Sequence, residues 1–248
     1  MKPGNAGGEK GLTNGCIDEG KQRMGTEPES KLSTKLNRLS ELARQNPTLK
    51  FTSLAHQLDE EALREAYREL NPKAAAGIDH VDYKAYGENL GENIADLVKR
   101  LKTKRYRATD IRRAWLPKPE GGQRPLGILV LEDKIVQKAA VKILSAIYEQ
   151  GFIDSSYGFR ENRNAHEALK ALELIIIKKG VNYLLDVDIR GFFDNIDHRW
   201  LMRMIRERIV DRTILHLIGK WLKVGVLEEG KRTCNETGVL QGSVISPI

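Results

Sequence analysis

Hydrophobic positions along this 248-residue chain recur with a period that shifts from place to place, and each shift marks an element. Residues 1–29 have almost no apolar periodicity and are rich in Gly, Lys, Glu and Asn, so they are expected to form a disordered leader outside the fold. Leu32, Leu36, Leu39 and Leu42 then repeat at helical spacing until Pro47 ends the run, which predicts an N-terminal helical extension over residues 30–57. Asp59 is placed to cap a second helix in which Ala62, Leu63, Ala66, Tyr67 and Leu70 share one face, with Pro72 beyond its end. After a Gly-containing turn at 74–79, Ile94, Leu97, Val98 and Leu101 mark a third amphipathic helix.

Two short runs, 111–116 and 127–131, read as strands joined by a polar turn over 117–125 that holds prolines, a Gly-Gly pair and charges. Asp133 is placed to cap a helix that carries Ile135, Val136, Ala139, Ala140, Ile143, Leu144 and Ile147 on one face. Ala165, Ala168, Leu169, Leu172, Ile175 and Ile176 mark another helix. Residues 181–189 alternate in the manner of a buried strand, and helices over about 199–209 and 213–224 follow. Helices outnumber strands without regular alternation, so the predicted class is α+β.

Composition narrows the picture. Apolar residues make up 40% and charged residues 30%, ordinary for a soluble globular protein. No apolar run approaches the ~18 residues of a membrane span, and the first residues lack the apolar core of an export signal. Cys16 and Cys234 are the only cysteines, too few for a disulfide framework or a thiolate metal cluster, which fits a reducing cytoplasm. The net charge of +7 is unevenly placed. Residues 99–124 hold ten Lys and Arg against Asp110 and Glu120, a local balance of +8 that exceeds that of the whole chain. With Tyr106 and Trp115 among the charges, this segment suits a phosphate backbone and stacked bases. A solvated basic face or a membrane-surface patch would carry the same charge.

Strand parity over 181–190 puts Asp186 and Asp188 on one face with Asn182, Leu184 and Arg190. Two carboxylates near the end of an apolar strand are costly to bury unpaired, and a divalent cation would compensate them; solvation or pairing with Arg190 would serve as well. Phe192, Phe193, Asp194, Asn195, Ile196, Asp197 and His198 follow at once.

Here the sequence resembles a known family. LDVDIRGFFDNIDH (185–198) resembles the first palm motif of reverse transcriptases, specifically those encoded by bacterial group II introns. LPKPEGGQRPLGI (116–128) resembles their fingers hairpin, SYGFRENRNAHEAL (156–169) the segment between, and GVLQGSVISPI (238–248) the next palm motif. The four blocks stand in the family's order. The resemblance runs from about residue 58 to the last and implies the helix-rich fingers and incomplete palm of a right-hand polymerase over 58–248.

It also implies an activity, RNA-directed DNA synthesis, in which dNTPs are added to a DNA primer on an RNA template with two Mg²⁺ ions, together with binding of intron RNA. Asp188 matches the first catalytic and metal-binding carboxylate, with the backbone carbonyl of Ile189 beside it and Asp186 a same-face neighbour. Phe193 matches the ring that excludes a ribose 2′-hydroxyl, leaving Phe192 as a core residue. Lys118 and Arg124 match the side chains that grip the incoming triphosphate, and Gln241 and Gly242 those lining the nucleotide pocket. Lys104, Arg105, Arg107, Arg112 and Arg113 are candidate RNA contacts, as are Arg160 and Arg163, which with His166 would meet the template or face solvent. The family's Tyr-Ala-Asp-Asp block is not in these 248 residues, so the chain is expected to be an N-terminal fragment inactive alone. A non-catalytic RNA-binding module, or a reverse transcriptase of retron or diversity-generating type, is the alternative.

Overall fold

The computed structural model describes residues 31–117, 121–228, 230–233, 237–239, 242, 244 and 245, so the expected leader lies outside them. Helix α1 (Lys31–Gln45) buries Leu32, Leu39 and Ala43 along one stripe, while Leu42 is exposed and Ala43 takes the place expected for it. Phe51 then forms a parallel bridge to Ile209, with its N–H donating to Arg208 O at 2.7 Å and Val210 N donating to its carbonyl at 2.9 Å. The region 30–57 is thereby stitched to residues far along the chain and shares their core.

Helix α2 (Glu60–Arg68) is capped by Asp59, which accepts from Ala62 N at 2.9 Å and from Lys35 Nζ of α1 at 2.8 Å. Helix α3 (Tyr83–Glu88) is too short for a periodicity to announce it; its Tyr83 stacks on Tyr67 of α2 with ring centroids 4.1 Å apart. Helix α4 (Leu90–Lys102) buries the four apolar residues that its spacing selects.

Strand β1 (Ile111–Pro117) pairs antiparallel with β2 (Gln123–Ile128). The hairpin is longer than expected because β2 begins before Pro125. A proline lacks the N–H for a ladder bond, but β2 lies at the sheet's edge, where that loss is tolerated. Helix α5 (Leu131–Tyr148) then buries all seven residues of its predicted face. Its cap differs from the expectation: Val130 takes that position, and Asp133 sits inside the first turn as a buried acceptor for other elements.

Helix α6 (Ala165–Lys179), capped by Asn164, is followed by α7 (His198–Ile205), α8 (Arg212–Leu222) and the short strands β3 (Val226–Glu228) and β4 (Lys231–Thr233). The sheet order is β2-β1-β3-β4, with β3 parallel to β1 through Ile111 opposite Val226. Residues 181–189 are the clear departure. They form no strand, and Tyr183, Leu185 and Val187 are exposed. A strand needs partners for its backbone and cover for its apolar face; no described residue supplies either. The class is α+β, and no helix among the described residues is long and apolar enough to cross a membrane.

Candidate active site

Strand β2, helices α5, α7 and α8, residues 192–196, and Val239, Gly242 and Ile245 line a cavity of about 770 Å³. The β2 strand contributes Arg124, Pro125 and Leu126; α8 contributes Ile218, Trp221 and Leu222. Phe192 and Phe193 sit at the third side with their rings edge to face and centroids 5.4 Å apart. Phe193 is half-buried and Phe192 exposed, so Phe192 is not the core residue expected of it.

Two backbone hydrogen bonds and one from a histidine side chain clamp residues 193–198 and 238–239 together. Val239 N donates to Phe193 O at 2.7 Å, Gly238 N to Ile196 O at 2.8 Å, and His198 Nε2 to Gly238 O at 2.7 Å. Gly242 then passes against the hairpin. Its φ of +95° is in the left-handed region, and a Cβ there would lie 2.6 Å from Leu126 Cδ1 and 2.9 Å from Gly127 O. Only glycine fits without displacing the strand. Arg124, Phe193 and Gly242 are thus brought to one cavity, whereas Lys118 and Gln241 lie outside the described residues.

The α8 wall is held from behind by a buried relay. Trp221 Nε1 donates to Tyr106 Oη at 3.1 Å, and Tyr106 in turn donates to Asp133, which also accepts from Thr109 N at 2.9 Å. Burial pushes the Asp133 carboxyl up to about 6 despite these donors, and burial beside Asp133 raises the Tyr106 phenol as well. The relay fixes the indole that lines the cavity. Sequence reasoning assigns neither Tyr106 nor Trp221 to this wall, because the contact joins positions more than a hundred residues apart.

The remaining candidates fall elsewhere. Asp186, Asp188 and Ile189 lie in the exposed stretch 181–189, outside the cavity wall. Among the described residues no three His, Cys, Asp or Glu side chains come together to hold a metal ion. The Asp188 carboxylate and Ile189 carbonyl are oxygen donors of the type Mg²⁺ takes, but the two do not make a site by themselves.

Arg160 is committed internally: it meets Glu149 at 2.7 Å and donates to the carbonyls of Ile153 and Ser156. Arg163 faces Asp154 at 3.6 Å and lies over the Tyr157 ring. Arg112 donates to Ala76 O at 2.8 Å, and Arg113 reaches Glu228 at 3.9 Å. Lys104, Arg105 and Arg107 are exposed, as an electrostatic surface requires. His166 is exposed at the start of α6.

The family model described as reverse transcriptase (RNA-dependent DNA polymerase) matches residues 116–248. Over 224 residues the chain is 33% identical to Protein YkfC of Escherichia coli (strain K12), covering 88% of this chain and 59% of that one. It is 38% identical over 158 residues to the group II intron-encoded protein LtrA of Lactococcus lactis subsp. cremoris, covering 63% of this chain and 26% of that one. The chain therefore spans less than two thirds of either relative's length. Among solved structures, a chain of the "Partial Cas6-RT-Cas1--Cas2 complex" aligns with a TM-score of 0.47 at 23% identity, over 77% of this chain and 32% of that one.

Proposed function

The chain belongs to the reverse transcriptase (RNA-dependent DNA polymerase) family, and we propose that it supplies the fingers and first palm segments of a group II intron-type polymerase that copies RNA into DNA. The observation that carries this reading is the convergence of Arg124, Phe193 and Gly242 on one cavity from three separate sequence blocks. A guanidinium offers a fork to a triphosphate, an aromatic ring at the wall excludes a ribose 2′-hydroxyl, and a glycine lets backbone approach the nucleotide closely. Together these would orient a dNTP and select it against an rNTP.

Members of the family generally use divalent metal ions, which offset charge on the transferring phosphoryl group. Asp188 is assigned the acidic role by its place in the 185–198 block. RNA template and DNA primer are the partners the reading requires, and binding of intron RNA accompanies it.

The test is a chimera in which residues 1–248 are followed by the corresponding remainder of the Lactococcus lactis relative. Primer extension on an RNA template should proceed with dNTPs and fail with rNTPs. Phe193→Ala should admit rNTPs while retaining dNTP use; Arg124→Ala should raise the dNTP KM; Asp188→Asn should abolish extension. Full activity of Asp188→Asn, or unchanged sugar selection in Phe193→Ala, would sink the assignment.

A further inference from the structure

The α7–α8 pair separates two concavities. Leu201, Ile205 and Trp221 face the apolar cavity, while Met202, Arg206 and His216 face a second groove of about 880 Å³ closed on its other side by Arg107, Ala108 and Asp110. We infer that this second groove binds the phosphodiester backbone of an RNA strand, at a site distinct from the nucleotide cavity.

Charge is the first observation. Arg107, Arg206, Arg212 and Lys223 line the groove, all four are exposed, and none has an ion-pair or side-chain hydrogen-bond partner among the described residues. The one carboxylate in the wall, Asp110, is already neutralised: Arg232 Nε meets it at 2.6 Å, and Gly225 N donates to it at 3.1 Å. Lys220 is likewise committed, to the Tyr106 carbonyl. What remains is an uncompensated cationic groove, whose walls concentrate the field on a polyanion. Three of its four free cations are arginines, whose planar forks suit phosphate oxygens.

Shape is the second observation. Gly219 lies within α8 and on the groove wall, and a Cβ built on it would meet nothing within 4 Å. A glycine inside a helix costs about 1 kcal/mol relative to alanine. No neighbour requires it here, and its effect is to leave the middle of the groove free of side chain. From Arg212 to Lys223 the helix advances about 16 Å, room for roughly four to five phosphates of a helical strand. The choice of RNA as the polyanion rests on the polymerase reading above, but the charge and the open floor do not.

The experiment is fluorescence anisotropy of the full 248-residue chain with a labelled single-stranded RNA oligonucleotide across a salt series. The triple variant Arg206→Gln, Arg212→Gln, Lys223→Gln should bind about tenfold or more weakly near 0.1 M salt. Its slope of log affinity against log salt should flatten by about 2, at ~0.7 for each phosphate no longer neutralised. Lys170→Gln, Lys178→Gln, Lys179→Gln removes the same charge from exposed positions on α6 and should leave both quantities nearly unchanged. Gly219→Leu alters no charge, has space for its side chain, and should also weaken RNA binding.

Equal loss in the α6 control, an unchanged slope in the triple variant, or full binding by Gly219→Leu would overturn the site. Tighter binding to phosphatidylserine vesicles than to RNA, lost in the same triple variant, would overturn RNA as the occupant. Primer extension reports on the cavity and equilibrium binding on the groove, so failure of one is distinguishable from failure of the other.

Discussion

Helices α5 and α6 carry similar apolar stripes and meet opposite fates. In α5, Ile135, Val136, Ile143 and Ile147 are at most 1% exposed; in α6, Leu169, Leu172, Ile175 and Ile176 are 40–63% exposed. Local periodicity selects the helix in both cases, but burial depends on a surface to pack against. Helix α5 packs against α1 and α2, and all three are joined in one core with α4 and α8. No described residue closes over the α6 face. Amphipathicity is thus a statement about which face would be buried, and only the surrounding elements determine whether it is.

The contrast is broken most directly by truncating each stripe. Ile143→Ala in α5 should destabilise the chain by about 2–5 kcal/mol, since it removes transfer free energy and leaves a cavity in a packed core. Urea unfolding would show it as a lower midpoint at unchanged slope. A loss under about 1 kcal/mol would mean that α5 is less tightly packed than its burial indicates.

Next in size is Asp211→Ala, which probes how the dense side is tied together. Asp211 accepts from Leu54 N at 2.6 Å, Ala55 N at 2.9 Å, Thr213 N at 2.8 Å and Ile214 N at 3.1 Å, joining the 51–58 segment to the start of α8. Burial alone would raise its carboxyl, but the four backbone donors outweigh burial and hold it below the ordinary range. Its removal should cost about 2–3 kcal/mol, more than a surface helix cap alone. Asp197→Ala, which strips the exposed cap of α7, is the matched comparison and should cost less.

A smaller, pH-dependent effect comes from Asp133. Its folded carboxyl is raised to about 6 from the ordinary 3.8, so its contribution to stability is full below 3.8 and is lost as pH rises through about 6. Asp59, Asp110 and Asp211 are lowered and act in the opposite sense, losing stability as pH falls below the ordinary carboxylate range. The interval from about pH 4 to pH 6 therefore isolates Asp133. Asp133→Asn should flatten the decline of unfolding free energy across that interval; the same decline in the variant would place the titration elsewhere. Leu172→Ala on α6 should be smallest, under about 1 kcal/mol. A loss as large as that of Ile143→Ala would erase the contrast.

Helices α1, α2, α4 and α5 are legible because their burial follows the spacing of their own residues, and Asp59 is legible as a cap because that bond is local. The β1–β2 hairpin was legible in kind but not in extent, since the edge position that accommodates Pro125 depends on β3. Strands β3 and β4 carry no signal in the sequence: at three residues each they exist through pairing, not propensity. Of the site, Arg124, Phe193 and Gly242 were identified by motif. Trp221, Tyr106 and the cations of the second groove were not, although the polar Arg212 and His216 of α8 and Lys223 at its C-cap recur opposite the buried Ile214, Leu217 and Ile218. Helical spacing of polar positions is a readable signal. The backbone clamp from 193–198 to 238–239 had none, because main-chain donors look the same at every residue.

The bridge between Phe51 and Ile209, with α8 closing over the same core, has a consequence in time. A ribosome adding about 5–20 residues per second needs roughly 4–15 s to go from the end of α5 to the end of α8. During that interval α1, α2, α4 and α5 have been synthesised while the side of their core destined for Ile209, Ile214, Leu217 and Trp221 is still uncovered. A nascent chain in this state presents an apolar surface to the cell, and slower translation of residues 149–222 would prolong its exposure to chaperones and to aggregation.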